Sequence, residues 1–289
     1  MIKKRFIAIV MLIAIVAIVF IKMEDSKAKQ ELLAEKAEAK NLIALLDVQE
    51  QSSEETEQDS VQGQSSEATE QEDSIQEQPS EASKKRALAQ QAHSLADEKL
   101  VALTFDDGPH PQHTEDLLDF LKAERVPATF FILGVQGEKH PDILSRMEKE
   151  GHQLAVHSYD HVDFTKLSLQ DAQKQINQTN QVIKDATGVD ATVMRPPFGA
   201  INDQVTKNVD MPQILWNIDT MDWKHRDANY IYNTIVKNTE DGSVILLHDI
   251  YGTSVEGAKR AIKKLKKDGY TFVTIDVLMN FRDLGLVVR

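Results

Sequence analysis

Two adjacent carboxylates, Asp106 and Asp107, follow directly after a short apolar run at residues 100–105. A continuous apolar run of this length is typical of a buried strand in a parallel sheet. Gly108 and Pro109 come next and favour a turn, because proline cannot continue a central strand. The two carboxylates are therefore expected at the C-terminal end of a core strand, where α/β folds build their sites. An isolated Asp-Asp-Gly turn would suit a solvated loop equally well.

A pair of histidines, His157 and His161, lies four residues apart after the third apolar run. On a helical turn that starts at the first of them, both imidazoles would lie on the same side. Such a pair is common on protein surfaces, but together with a strand-end carboxylate it supplies two nitrogens and one oxygen. Three protein ligands with an open position are typical of hydrolytic zinc sites. Because the chain has no cysteine, any metal must bind to His, Asp or Glu.

Three more polar signals follow later apolar runs. Arg195 comes after the fourth run and before two prolines, Asp222 comes shortly after the fifth, and His248 directly follows the sixth. Each has an ordinary explanation on its own, such as a rigid loop with a surface arginine or a core histidine. Five polar signals in succession at strand ends are hard to obtain by chance, so they predict one shared site.

The elements that would position these residues alternate regularly. Apolar runs predict seven strands, at residues 100–105, 128–133, 153–157, 191–194, 213–218, 243–247 and 271–275. Amphipathic stretches predict five helices between most of them, at residues 114–124, 142–150, 169–187, 228–238 and 255–267. This alternation predicts an α/β fold for residues 99–289. The region is short for eight units, so a distorted or incomplete (β/α)7-type barrel is expected.

The first 23 residues resemble a membrane anchor. Residues 6–21 are uninterrupted apolar residues, and Lys3, Lys4 and Arg5 precede them. Such a helix is about 24 Å long, at the short end of a bilayer span. The basic residues predict a cytoplasmic N-terminus and an extracellular remainder. A cleaved signal peptide, which would make the protein secreted, is the alternative, although no small-residue cleavage site directly follows the apolar run.

The next segments have a different composition. Residues 24–50 are rich in Ala, Leu, Glu and Lys and predict a helix, whereas residues 51–98 predict a flexible, low-complexity stalk with short degenerate repeats. Residues 24–98 hold 19 acidic and 7 basic side chains, so most of the chain's net charge of −13 belongs to this part. No basic surface for nucleic acid is indicated, and no feature predicts a protein partner.

The whole set of motifs resembles that of the polysaccharide deacetylases, the NodB-homology enzymes of carbohydrate esterase family 4. The matching segments are Thr104-Phe-Asp-Asp-Gly-Pro109, His157-Ser-x-x-His161, Arg195-Pro-Pro-Phe-Gly199, Asp219-x-x-Asp222-Trp223 and Leu246-x-His248. They occur in order, span the predicted globular region and depart from the family pattern at no chemical position. The resemblance implies a metal-dependent hydrolase that removes N-acetyl groups from a polysaccharide and releases acetate.

The resemblance also implies roles for the polar residues at the first three motifs. Asp107, His157 and His161 would bind one divalent metal ion, usually zinc, with cobalt or another divalent ion as alternatives. Asp106 would be the general base, and Arg195 would orient it. A carboxylate beside an acidified water is well suited to take its proton.

The remaining motifs would supply the other half of the reaction. His248 would be the general acid that protonates the leaving amine, and Asp222 would keep it charged. The backbone N–H of Phe198 would stabilise the oxyanion. Trp223 and Leu246 would form an apolar pocket for the acetyl methyl. The other histidines fit no motif and are expected to be surface or structural residues, and no direct role is assigned to the aspartates near the motifs: Asp160, Asp219 and Asp249.

An extracellular domain on a membrane-tethered stalk would reach a cell-wall polymer. Similarity to anchored deacetylases favours N-acetylglucosamine of peptidoglycan as the substrate. Chitin-type oligosaccharide and acetylated xylan are alternative substrates, because the motifs recognise the acetyl group and not the polymer that carries it. A non-catalytic surface binding or adhesion protein on the same scaffold is a different class, as is an exported hydrolase of small amides that are not sugars.

Overall fold

The structure is a computed structural model that describes residues 95–209, 211–285 and 287–288. The predicted anchor, the predicted helix at residues 24–50 and nearly all of the predicted stalk lie outside the described residues. In the part of the chain that the structure describes, no helix is both long enough and apolar enough to cross a membrane.

Strands and helices alternate along the described chain. The strands are β1 Lys99–Asp106, β2 Thr129–Leu133, β3 Gln153–Ser158, β4 Gln213–Ile214, β5 Ile218–Asp219, β6 Ser243–His248, β7 Tyr270–Phe272 and β8 Val287–Val288. The longer helices are α1 His113–Glu124, α2 Pro141–Lys149, α3 Leu169–Thr187, α4 Asp203–Asn208, α5 Ala228–Asn238, α6 Gly252–Lys267 and α7 Ile275–Phe281. Single helical turns lie at Gly134–Gly137, Asp222–His225, Phe164–Lys166 and Pro197–Gly199. The five predicted helices are confirmed, with ends within three residues of those expected.

Strand β1 is the centre of a parallel sheet in which the strand order is β3, β2, β1, β6, β5. Its N-terminal half also pairs with β7, and the sheet strands are all parallel. Beyond β3, Met194 forms single bridges to Val156 and to Gln213. Because residues 213–219 reach Met194 at one end and β6 at the other, the strands close irregularly around the core. The α/β class is confirmed, and the closure is consistent with the incomplete (β/α)7-type barrel.

Burial on both faces explains the apolar character of β1. Leu100, Leu103 and Phe105 are wholly buried, and the sheet packs against helices that include α1 and α6. Truncating such a side chain, as in Leu103→Ala, costs about 2–5 kcal/mol. The strand is therefore a rigid support for the carboxylates at its end.

Three of the predicted strands differ in the structure. Residues 191–194 form only the bridge at Met194, because Pro196 and Pro197 have no N–H groups with which to extend a ladder. Residues 213–218 divide into β4 and β5, since the carbonyls of Ile214 and Leu215 accept hydrogen bonds from a side chain instead. The strand predicted at residues 271–275 ends at Phe272, and residue 275 begins α7.

Candidate active site

The two carboxylates do lie at the C-terminal end of β1, and the backbone turns them in different directions. Asp106 is the last residue of the strand and is 3% exposed. Asp107 has a φ of 73°, in the left-handed region that aspartate tolerates better than most residues. The change of backbone direction places the Asp107 carboxylate between two histidines, whereas Asp106 faces an arginine.

Asp107, His157 and His161 come together around one point. The Nε2 atoms of both histidines lie 3.4 Å from Oδ1 of Asp107. The two histidines do not share a helical turn: His157 belongs to β3, and His161 has a φ of 63° after a bend at residues 159–160. The bend brings the second imidazole back beside the first, with the ring centroids 5.3 Å apart.

Hydrogen bonds and burial leave these groups ready to bind a cation. Nδ1 of His157 donates to the carbonyl of Arg195 at 2.8 Å, so Nε2 is the ring nitrogen that is directed at Asp107. Burial, with the charges of His157 and His248, lowers the pKa of His161 against the opposing pull of Asp107. Burial alone would raise the pKa of Asp107, but the neighbouring imidazoles, with His157 first among them, outweigh burial and lower that pKa.

The donor set fits a divalent metal ion. One ligand atom from each of the three residues lies within 4.8 Å of the others. Oδ1 of Asp107 is buried and has no hydrogen-bond partner among the described residues, which is costly unless a cation offsets it. Two imidazole nitrogens and one carboxylate oxygen match the ligands of hydrolytic zinc sites.

Asp106 is held by a wholly buried arginine. Nη1 of Arg195 donates to Oδ1 of Asp106 at 2.7 Å and to Oγ1 of Thr104 at 2.8 Å. Its Nε and Nη2 atoms donate to the carbonyls of Ile214 and Leu215, and its guanidinium stacks on Phe131. Burial lowers the pKa of Arg195 from its ordinary value, and the charge of Asp106 opposes that shift. Three hydrogen bonds hold the guanidinium of Arg195 in place, and the fourth fixes Oδ1 of Asp106. Oδ2 of Asp106 is left free for chemistry.

His248, the last residue of β6, is paired with a wholly buried carboxylate. Its Nδ1 lies 2.8 Å from Oδ1 of Asp222, which also accepts from the backbone N–H of Trp223. Oδ2 of Asp222 accepts from the backbone N–H of His248 and from the hydroxyl of Ser254. Burial alone would lower the pKa of His248, but Asp222, with help from Asp106 and Asp107, outweighs it and raises the pKa to about 9. The imidazole is therefore charged at neutral pH.

These groups surround a pocket of about 390 Å³. Phe198 and Gly199 form part of its wall with φ values of 62° and 61°, and the ring of Phe198 contacts His161 edge-on. Trp223, which is 47% exposed, and Leu246, which is buried, supply apolar surface beside His248. The pocket therefore joins charged and polar groups to an apolar wall.

The structure brings all ten residues predicted from the sequence to this one place. Arg195 and Asp222 lie behind the pocket, and the other eight line it: Asp106, Asp107, His157, His161, Phe198, Trp223, Leu246 and His248. Sequence reasoning missed Trp216 and Tyr251, which also line the pocket. Trp216 sits in the break between β4 and β5, and the aromatic residue itself was the only signal that could have found it.

Comparison with known proteins gives the family. Residues 94–212 match the family model described as polysaccharide deacetylase. A solved structure of the peptidoglycan deacetylase PdaC from Bacillus subtilis is 42% identical, with a TM-score of 0.63, and the match covers 64% of this chain and 92% of that one. The chain belongs to the polysaccharide deacetylase family.

Two further relatives describe the range of the family. The peptidoglycan-N-acetylglucosamine deacetylase PgdA of Listeria monocytogenes is 44% identical over 180 residues, which is 62% of this chain and 39% of the relative. A family 4 acetyl xylan esterase from Clostridium thermocellum, solved in complex with a cobalt ion, is 33% identical with a TM-score of 0.61. That match covers 63% of this chain and 91% of the other. The chain spans about two fifths of the length of PgdA.

Proposed function

We propose that the protein is a metal-dependent hydrolase that removes N-acetyl groups from N-acetylglucosamine of peptidoglycan and releases acetate. The observation that carries the proposal is the convergence of a metal-ligand triad, a carboxylate and a charged imidazole on one pocket. The three groups complement one another in amide hydrolysis, because the amide carbonyl is a poor electrophile and the amine is a poor leaving group.

Asp107, His157 and His161 would hold one divalent ion, Zn²⁺ in the first instance, with Co²⁺ or another divalent ion as alternatives. The histidine nitrogens favour zinc, and cobalt accepts the same ligands. When bound, such an ion lowers the pKa of water and polarises a carbonyl oxygen. The relative solved in complex with a cobalt ion supports the use of a divalent ion in this family.

Asp106 would accept the proton of the attacking water. Arg195 holds its Oδ1, so Oδ2 is the oxygen that takes part, and it lies 3.8 Å from Nε2 of His157. A carboxylate held in this way is a general base with one available oxygen and a fixed direction of approach. The backbone N–H of Phe198 would donate to the oxygen of the acetyl group as negative charge builds on it.

His248 would donate a proton to the amine as the C–N bond breaks. Its Nδ1 is occupied by Asp222, so Nε2 is the donating atom, and it lies 3.9 Å from Oδ2 of Asp107. Trp223 and Leu246 would enclose the acetyl methyl and exclude water from the bond that is cut. The products would be acetate and a free amino sugar.

The intact chemical groups argue against a binding or adhesion protein on the same scaffold. Such a protein needs no charged histidine held by a wholly buried carboxylate, and no buried carboxylate oxygen without a partner. A buried carboxylate oxygen without a partner costs stability, and strongly perturbed titratable groups gather where chemistry is performed.

Acetate release from purified peptidoglycan tests the proposal, with Asp106→Asn as the matched inactive variant. Wild-type protein should release acetate, and mass spectrometry of digested fragments should place the free amines on glucosamine rather than on muramic acid. Chitin oligosaccharide and acetylated xylan complete the panel. Release from xylan alone would contradict the substrate, and no release from any polymer would contradict the activity.

We further propose that residues 6–21 anchor the chain and leave the catalytic domain outside the cell. The basic residues before this apolar segment support that orientation, and a wall polymer is then within reach of the domain. Full-length protein in the membrane fraction is the expected result. A shortened product in the medium would instead favour a cleaved signal peptide.

A further inference from the structure

Asp249, which no motif includes, is wholly buried directly after His248. Its Oδ2 accepts a hydrogen bond from the hydroxyl of Thr114 at 2.5 Å. Its Oδ1 is buried and has no hydrogen-bond partner among the described residues. A half-satisfied buried carboxylate costs free energy, so its place beside the candidate active site needs an explanation.

The carboxylate of Asp249 packs against the turn that follows Asp107. A Cβ atom at Gly108 would lie 2.4 Å from Oδ1 and 2.5 Å from Oδ2 of Asp249, so only glycine fits there. The hydroxyl of Thr114 also accepts from the backbone N–H of His110 at 2.8 Å. Asp249 and Thr114 together therefore hold the turn at both of its ends, at residue 108 and at residue 110.

The pairing of β1 with β6 places Asp249 beside Asp107. Asp106 pairs with His248 across β1 and β6, so Asp107 and Asp249 directly follow the ends of these two neighbouring strands. Asp107 belongs to the proposed metal triad, and its Oδ2 lies 3.9 Å from Nε2 of the proposed acid. Contacts made by Asp249 thus act on the spacing between those two groups.

We infer that Asp249 is a positioning residue, which with Thr114 fixes the turn that carries Asp107 so that its carboxylate meets the two histidines. The inference rests on the proposed metal site. Outer partners of metal ligands commonly change metal affinity by about 10- to 100-fold when they are removed. Asp249 acts through the backbone of the turn and does not touch the cation or the substrate.

The test compares three threonine variants. Thr114→Val removes the hydroxyl and keeps the Asp249 side chain rather than a smaller one in its place, so it frees the turn without opening a cavity beside the site. Thr114→Ser restores the hydroxyl. Thr239→Val is the control, because Thr239 is also buried and its hydroxyl donates to the carbonyl of Ile235 in the helix that it follows, away from the turn.

The measurements are the dissociation constant for Zn²⁺, by competition with a chromogenic chelator, and the thermal midpoint of the metal-free protein. Thr114→Val should weaken Zn²⁺ binding about tenfold, Thr114→Ser should restore it to within about twofold, and Thr239→Val should leave it unchanged. As a second route, Gly108→Ala should also weaken binding, because its Cβ displaces Asp249 or the turn.

Wild-type Zn²⁺ affinity in Thr114→Val would overturn the inference, as would equal weakening in Thr114→Val and Thr239→Val, which would indicate general destabilisation. Failure of the metal site itself gives a different result. In that case His157→Ala would bind Zn²⁺ as tightly as wild-type protein, and both the metal assignment and this inference would fall. Failure of the deacetylase activity alone would leave the affinity differences in place.

Discussion

Two pairs of an acidic and a basic side chain flank the pocket, and they differ in which partner faces it. At the end of β1, the carboxylate of Asp106 lines the pocket, and Arg195 lies behind it, wholly buried. At the end of β6, the imidazole of His248 lines the pocket, and Asp222 is the wholly buried partner. The hydrogen bonds are nearly equal in length, at 2.7 Å and 2.8 Å.

The comparison shows that the chemical role of each pair depends on which partner is buried and which one faces the pocket, and not on residue type alone. A buried arginine presents a proton acceptor to the pocket, and a buried carboxylate presents a proton donor. Each buried partner is itself held by several hydrogen bonds, Arg195 mostly to carbonyls and Asp222 to N–H and hydroxyl donors. The two sides can therefore be tested separately.

The largest effect is expected from removing the ligands that lie between the two pairs. His157→Ala should lose bound metal and with it essentially all acetate release, because both pairs stay intact but the water is no longer activated. Metal content by plasma emission spectroscopy and acetate release by an enzymatic assay check this. Unchanged metal stoichiometry would refute the ligand role of His157.

The next effect separates the acceptor side from the metal. Asp106→Asn keeps the size of the side chain and removes the acceptor, so kcat should fall by about 10²-fold or more. Metal content should stay at the wild-type level, because Asp106 is not one of the three ligands. Full activity in this variant would show that another group takes the proton.

The role of His248 as proton donor should be visible in the dependence of kcat/KM on pH. His248 must be protonated to act as an acid, so kcat/KM should fall as pH rises through its pKa, which is about 9 without a metal. A bound cation opposes the imidazolium charge, so this alkaline limb is expected at or below pH 9.

Replacing the buried partner should move that limb. Asp222→Asn removes the charge that raises the pKa of His248, so the limb should shift to lower pH by about one unit or more. His248→Ala should abolish the limb and lower kcat by about 10²-fold with unchanged metal content. An unmoved limb in Asp222→Asn would mean that the pair does not set the charge.

The smallest effect concerns a buried imidazole that lacks a carboxylate partner. Nδ1 of His152 accepts the backbone N–H of Ala128, and burial lowers its pKa to about 4. Between about pH 6.5 and pH 4 the unfolded chain binds the proton and the folded chain does not. The free energy of unfolding should therefore fall by about 3 kcal/mol as pH drops through this range. Urea unfolding should show this fall in the wild type but only a reduced one in His152→Gln; equal slopes would contradict it.

Much of this arrangement follows from local sequence. The apolar runs of β1, β2, β3 and β6 predicted their strands, because strands buried on both faces need no alternation. The charged and polar site residues were predicted because they come at or just after the ends of apolar runs. The roles of Phe198, Trp223 and Leu246 came from the family resemblance alone. The prediction of one continuous strand at residues 213–218 failed because the structure there depends on a distant side chain. Arg195 donates to the carbonyls at the break between β4 and β5, and no local pattern encodes that contact.

The same reason explains the site residues that were missed. Trp216 lines the pocket from the break between β4 and β5, and the contacts of Asp249 are with Thr114 and with the turn at Gly108. Such contacts join positions more than 100 residues apart, as between Thr114 and Asp249. Sequence spacing predicts which residues share an element, but it does not predict which side chains touch across the turns and breaks between elements.

The central claim is that one pocket holds a cation between a proton acceptor and a proton donor to hydrolyse an amide. The most direct measurement is acetate release from purified peptidoglycan by wild-type protein before chelation, after chelation and after Zn²⁺ is added back. The account predicts release, its loss on chelation and its recovery with Zn²⁺. Release that continues undiminished in the chelator would contradict it.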